Sequence, residues 1–325
     1  MNKNQLKYPI KFTPILKEKI WGGNKLNSLF NKAQKNSIGE SWEISDVDNN
    51  ISIVNNGLLK GWSLPQLISE FKDEFLGKHV YKSFGNNFPL LFKFIDAKED
   101  LSVQLHPNDQ LAKERHNSFG KAEMWYVLES DKDAKLNLGF HKEINQELYQ
   151  KHLTENTLPE ILHYENVKKG DSFYIETGTV HAIGAGVVLA EIQQTSDITY
   201  RIYDYNRPDL DGKLRELHTD LAIDAINFES SQAKLEYKDE INTPVNLCET
   251  TYFNTNILTI SSALIRDLKS IDSFVVYMCL EGEGTIIVDQ NSEDFMKGDT
   301  ILIPALITNI EIKSTSANFL EVYIP

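Results

Sequence analysis

The sequence predicts an all-β fold with helical decorations, and three observations carry the prediction. Short segments rich in β-branched and aromatic residues recur along the chain, punctuated by Gly, Asn and Asp, the spacing expected of a sandwich or barrel. Helical periodicity is confined to a few stretches. A polar stretch without period, Glu229 to Thr243, reads as a linker, and the tail beyond it carries only strand signals. At about 150 residues per domain, 325 residues suggest two domains, expected at 1–235 and 236–325.

In the first domain the expected strands are Pro89–Asp96, Ser102–His106, Glu123–Glu129, Ala134–Phe140, Ser172–Glu176, Val187–Gln194 and Ile198–Tyr205. In the second they are Asn256–Ala263, Phe274–Leu280, Thr285–Val288, Thr300–Ile303 and Asn318–Ile324. Ser63-Leu-Pro-Gln66 has capping-box spacing, and Leu64, Leu67, Ile68, Phe71 and Phe75 follow with helical period as far as Gly77. Thr157-Leu-Pro-Glu160 repeats that spacing before a short helix, and residues 109–117, 144–153 and 215–226 also read as helical. One long-range echo exists. Gly170-Asp and Gly298-Asp each open a strand of similar length, and only the first runs on to a histidine, His181. This reads as two copies of one β unit, with chemistry kept in the first.

Composition excludes several classes. Hydrophobic residues at 41% and charged residues at 25% are globular values, which rule out wholesale disorder. A net charge of −14 argues against nucleic acid and against anionic membranes, and it obliges any anionic substrate to find a local basic pocket. Cys248 and Cys279 show no metal-type spacing and are too few for a disulfide framework. The N-terminus lacks an apolar core of a signal peptide, and no uncharged apolar run approaches the roughly 18 residues of a membrane span. The expected location is cytoplasmic.

Four residues offer a metal set. Gln104 and His106 lie two apart in a strand and so share a face. Glu123 shares a face with Trp125 and Val127, an uncommon setting for a carboxylate unless it is paired or metal-bound. His181 follows a turn. Two imidazoles, a carboxylate and an amide oxygen suit zinc or non-haem iron. Lys121 joins the Glu123 face if the strand reaches back that far; alone, an exposed loop lysine is the plainer reading. Asp197, Thr199 and Arg201 alternate along one expected strand, and Arg201 there suits a phosphate or a developing oxyanion. A surface Arg–Asp pair is the plainer reading of those residues. The other histidines read as solvated surface groups.

Ile20-Trp-Gly-Gly23, Gly39-Glu-Ser-Trp-Glu43, Leu91-Phe-Lys93, Leu101-Ser-Val-Gln-Leu-His-Pro107, Gly120-Lys-Ala-Glu-Met-Trp-Tyr126, Gly178-Thr-Val-His-Ala-Ile183, Leu189-Ala-Glu-Ile-Gln-Gln194 and Ser196-Asp-Ile-Thr-Tyr-Arg201, running on to Asp204-Tyr-Asn-Arg207, occur in this order. Together they make the sequence resemble the type I phosphomannose isomerases of the cupin superfamily, in their short bacterial form. The resemblance implies two cupin-like β-barrel or jelly-roll domains, the first metal-bearing and the second degenerate. It implies one Zn2+ per chain on Gln104, His106, Glu123 and His181, and interconversion of mannose 6-phosphate and fructose 6-phosphate. Arg201 then matches a catalytic position, Lys121 and Asp197 match acid–base positions, and Ser102 and Lys93 match positions at the substrate phosphate. Glu176 departs from the family, which favours proline before this turn. The rival readings are a cupin-type non-haem iron oxygenase and a non-catalytic sugar-binding cupin. The sequence leaves the oligomeric state open.

Overall fold

A computed structural model of the chain describes residues 2–32, 37–141, 143–229 and 232–325. The chain forms two compact units. One comprises Leu16–Ser41 and Phe92–Leu235; the other comprises Met1–Ile15, Trp42–Leu91 and Glu236–Pro325. The expected linear division shares the boundary after Leu235, but residues 1–15 and 42–91 join the C-terminal strands. The physical reason is pairing and packing: Ile10 and Lys11 pair with Leu302 and Ile301, the rings of Phe88 and Phe274 lie 4.6 Å apart, and Ala305 and Leu306 donate to the carbonyls of Phe75 and Glu74.

In the unit built on 92–235, a seven-stranded sheet has the order Lys234–Leu235, Ser172–Ile175, Glu123–Ser130, Val187–Gln194, Leu90–Ala97, Ile15–Gly23, Ile38–Ile44. A five-stranded sheet has the order Leu162–Asn166, Lys135–Phe140, His181–Ile183, Val103–Leu105, Tyr200–Tyr203. Between them lies one core: Trp125, Val127, Phe173 and Leu189 from the first sheet meet Leu136, Leu138 and Ile183 from the second. A second core, with Val103, Leu105, Ala182 and Tyr200, lies on the other face of the five-stranded sheet, against Tyr149 and Leu158. Among the described residues no sheet closes on itself; of the barrel or jelly roll expected, this unit shows two open sheets facing each other across a shared core.

The other unit carries a nine-stranded sheet whose central strand, Val275–Val288, spans 14 residues. Two separate strands, Phe274–Leu280 and Thr285–Val288, are expected here; they are one bent strand. It pairs with Ala317–Tyr323 up to Gly282 and with Asn309–Lys313 from Thr285. The register shifts between Cys279 and Glu281, and Gly282 has φ +88° with Ser316 O 2.0 Å from where a Cβ would stand. Only glycine fits that crossing.

Ser63 caps the helix Leu64–Phe71 as its spacing predicts, with Gln66 N donating to Ser63 Oγ and Ser63 N to Gln66 Oε1 at 2.8 Å. Thr157 does not cap: Leu158–Ile161 is a single 3-10 turn without a side-chain cap bond. Residues 215–226 yield only the short helix Thr219–Ile223.

The echoed turns are built alike. Gly170 N donates to Val127 O at 2.9 Å and Gly298 N to Cys279 O at 2.8 Å. In return Val127 N donates to Asp171 O at 2.9 Å, and Cys279 N to Asp299 O at 2.8 Å. Each aspartate caps its own turn, Asp171 Oδ2 accepting from Lys168 N and Asp299 Oδ2 from Met296 N. Both glycines have φ +90°. In register, Ile175 faces Glu123 and Ile303 faces Val275.

Candidate active site

The strand Val103–Leu105 places Gln104 beside both His181 and Arg201, its register partners on the two flanking strands. His106 follows the strand end, and Pro107 turns the chain away toward the helix Asp109–His116, which Asn108 caps. Glu123 opens a central strand of the facing sheet. The candidate ligands thus come from both layers of the sandwich. His106, Glu123 and His181 are each 1% exposed, and their ligand atoms lie within 4.8 Å of one another.

The imidazoles are oriented from behind. His106 Nδ1 lies 2.8 Å from Ile198 O, and His181 Nδ1 lies 2.9 Å from Thr179 O. A carbonyl only accepts, so Nδ1 carries the proton and each Nε2 lone pair points inward. Burial pushes both imidazoles down, His106 to about 3 with Lys121 as the next cause, so both are neutral ligands near pH 7. The T-shaped contact of Trp125 with His181, ring centroids 5.4 Å apart, fixes that ring further.

Glu123 is a buried carboxylate whose two oxygens accept no aligned hydrogen bond. Its contacts are electrostatic, from Lys121 Nζ at 3.0 Å and His106 Nε2 at 3.2 Å. Burial opposes its charge, but the Lys121 ammonium foremost holds the carboxyl well below the usual range. A buried anion with free lone pairs beside two inward Nε2 atoms fits a divalent metal ion. The Gln104 amide lies 3.5 Å from His181 Nε2, within reach of the same position.

Lys121 is 5% exposed, which corrects the plainer reading of a loop lysine. It precedes the strand, and its Nζ lies 3.2 Å from His106 Nε2. Arg201 donates from Nε to Ser102 Oγ at 3.2 Å and from Nη1 to Glu216 O at 3.0 Å. The strand begins only at Tyr200, so Asp197 and Thr199 do not share it with Arg201. All three still line one cavity, Asp197 is exposed, and among the described residues no ion pair joins Asp197 to Arg201. Lys93 also lines that cavity, yet its ammonium donates to Glu191 Oε1 at 2.7 Å and Gln193 Oε1 at 2.6 Å. Burial opposes its charge, but Glu191, Glu40 and Glu123 hold its pKa above the ordinary lysine value. Glu176, the departure from the family, has its carbonyl bonded to Thr179 N at 3.1 Å, which closes the turn without a proline.

The cavity holds 330 Å³ and opens beside His181, Gln104 and Lys121. Five basic side chains line it, Lys19, Lys93, Lys121, Arg201 and Arg215, against Glu40, Glu191 and Asp197. In a chain of net charge −14 this is a local basic pocket. Sequence reasoning missed Lys19, Arg215 and His218. Glu40 was within reach, since it stands in the Gly39–Glu43 motif. His218, expected to be a solvated histidine, accepts from Arg201 N at 3.2 Å. Arg215 lay in a stretch taken for helix, where nothing in the residue pattern aims it at the site. No helix among the described residues is long and apolar enough to cross a membrane.

The family described as "Phosphomannose isomerase type I, catalytic domain" matches residues 10–155, and "Mannose-6-phosphate isomerase, cupin domain" matches 243–324. The mannose-6-phosphate isomerase ManA of Bacillus subtilis is 37% identical over 91% of this chain and 93% of its own. The mannose-6-phosphate isomerase of Streptococcus mutans is 34% identical over 92% and 93%. A crystal structure of a mannose 6-phosphate isomerase from Bacillus subtilis superposes with a TM-score of 0.89 at 30% identity, covering 98% of this chain and 100% of that one. The apo enzyme from Salmonella typhimurium, at 16% identity and a TM-score of 0.77 over 97% and 99%, shares the fold. With such relatives matching over nearly the whole of both chains, the chain belongs to the type I mannose-6-phosphate isomerases, a family of enzymes.

Proposed function

We propose that the chain interconverts D-mannose 6-phosphate and D-fructose 6-phosphate with one zinc ion held by Gln104, His106, Glu123 and His181. The observation that carries the proposal is the meeting of three buried donors with a basic cavity of sugar-phosphate size. The basic lining favours an anionic sugar phosphate over a neutral sugar. When bound, zinc supplies Lewis-acid polarisation of the oxygens at C1 and C2 of the opened sugar.

The remaining chemistry belongs to the side chains. The reaction moves a proton between C1 and C2, and a base must reach it within about 3 Å. Lys121 Nζ, buried at the cavity's inner end, is the candidate proton carrier. Arg201 stabilises the charge that develops on the sugar oxygens and, through Ser102, reaches the phosphate end. Asp197, exposed at the cavity wall, orients the open-chain hydroxyls. Lys93 neutralises Glu191 beside the pocket. The second unit reads as an eroded copy, in which Val275 and Asn309 stand where the first has Glu123 and His181.

The test is a coupled assay on the purified protein. Mannose 6-phosphate should yield fructose 6-phosphate, and the reverse, with unphosphorylated mannose turned over far more slowly. Failure to convert either phosphate would remove the proposal.

A further inference from the structure

Asp204 follows the strand Tyr200–Tyr203 and is 6% exposed. It accepts from Arg215 Nε at 2.7 Å and Arg215 Nη2 at 2.6 Å, and from Arg207 Nε and Nη2 at 3.2 Å each. Between these residues the chain makes a small hairpin, with Pro208 bridged to Leu214 and Asp209 N donating to Lys213 O at 2.7 Å. The fork of Arg215 is therefore fixed by two bonds at the hairpin base, which leaves Nη1 without a partner among the described residues. Arg215 lines the same cavity as Arg201. Arg201 has committed Nε and Nη1, and its Nη2 has no partner among the described residues.

Charge sharpens the picture. Asp204 and Asp209 balance two of the three guanidinium groups of Arg201, Arg207 and Arg215, so this cluster keeps an excess of one positive charge. Burial weakens Arg201's hold on its proton, and the like charge of Arg215 is the next cause. A phosphate monoester is a dianion near pH 7 and would offset that excess charge; a neutral sugar would not.

We propose that Arg215, seated by Asp204, is a phosphate-binding residue that sets the preference for a phosphorylated over a neutral sugar, closing with Arg201 on the substrate dianion. The proposal rests on the sugar-phosphate reading above and adds to it a residue the family motifs quoted earlier do not mark.

The experiment is steady-state kinetics of the metal-loaded Arg215→Gln protein beside the unsubstituted one, with inorganic phosphate as a competing probe. Loss of a charge-assisted bond should raise KM for fructose 6-phosphate by about 10–100-fold. The inhibition constant of inorganic phosphate should rise by the same factor, while kcat stays within about threefold. Unchanged KM and phosphate inhibition, or a loss confined to kcat or melting temperature, would overturn the proposal and leave Arg215 a hairpin clamp. If Arg215→Gln does not fold, Arg215→Lys decides: it keeps the charge without the fork, so a KM raised about fivefold or more supports the proposal and an unchanged KM overturns it. If the unsubstituted protein isomerises no sugar phosphate, the functional reading fails separately. The shift of melting temperature by inorganic phosphate then tests Arg215 alone. A shift lost in Arg215→Gln supports the assignment; an equal shift in both, or none in either, overturns it.

Discussion

Glu191 and Glu321 hold the same place in the two units. Glu191 pairs in register with Trp125, two residues beyond Glu123, and Glu321 pairs with Tyr277, two residues beyond Val275. Both are buried, and each accepts from its aromatic partner, Trp125 Nε1 at 3.1 Å and Tyr277 Oη at 2.8 Å. Each also holds a base: Lys93 at 2.7 Å and Arg266 at 2.9 Å. The carboxylate–aromatic pair repeats in both units and belongs to the architecture of the β unit, whereas the bases come from different strands, Lys93 from Leu90–Ala97 and Arg266 from Leu264–Asp267.

The consequence for Lys93 is that its removal strikes stability first. Lys93→Met strands the buried Glu191 carboxylate, an effect of about 3–5 kcal/mol. Urea unfolding should show that loss, with KM of the folded fraction close to unsubstituted. A large rise in KM at unchanged stability would instead place the Lys93 ammonium on the phosphate.

Lys121→Ala should lower kcat by about 10²–10⁴-fold, the range for losing a positioned proton carrier. KM should move little. Unsubstituted turnover in this variant would return Lys121 to a structural ion-pair partner of Glu123.

Arg201→Lys separates a clamp from a surface pair. Lysine keeps the charge but cannot span Ser102 Oγ and Glu216 O at once. Turnover should fall roughly 10²-fold or more, with the melting temperature nearly unchanged. Full activity in this variant would remove Arg201 from the mechanism.

Asp272 caps the helix Lys78–Phe84 from a distant part of the sequence, accepting from Lys78 N at 2.8 Å and His79 N at 3.1 Å. Burial opposes its charge, but these two N–H groups and the His79 side chain together hold the carboxyl below the usual range. A lowered folded pKa means the contribution is full above the unfolded value, about 4, and fades as pH falls through the folded one. Asp272→Ala should therefore cost about 0.5–2 kcal/mol near pH 7, and less at pH 3. An equal difference at both pH values in urea titrations would contradict this role.

Much of the first unit was legible because its strands are short runs rich in β-branched and aromatic residues, punctuated by Gly, Asn and Asp. Val187–Gln194 appears at its expected bounds, and Glu123 opens its strand as expected. The ligand set was legible for a different reason: buried His106, His181 and Glu123 sit in strand or strand-end contexts where a polar side chain demands a partner. What stayed hidden depends on long-range pairing. Ile15–Gly23 is half-exposed along most of its length, Ile38–Ile44 at the end of the sheet is buried throughout, and nothing local shows that residues 42–91 pack with the C-terminal strands. Arg215 was hidden because its aim is set by Asp204, eleven residues earlier, across a hairpin. Lys93 was misplaced in emphasis because a motif shows a lysine but not the Glu191 that holds it.

The central claim is that His106, Glu123 and His181 hold the ion the isomerase needs. Its most direct measurement is the return of mannose 6-phosphate isomerisation as zinc is titrated into chelator-stripped protein. Activity should be lost on stripping and should recover linearly to a plateau at one zinc per chain, with no recovery in His181→Ala. Stripped protein that remains fully active, or a His181→Ala variant that binds one zinc and recovers alike, would contradict the account.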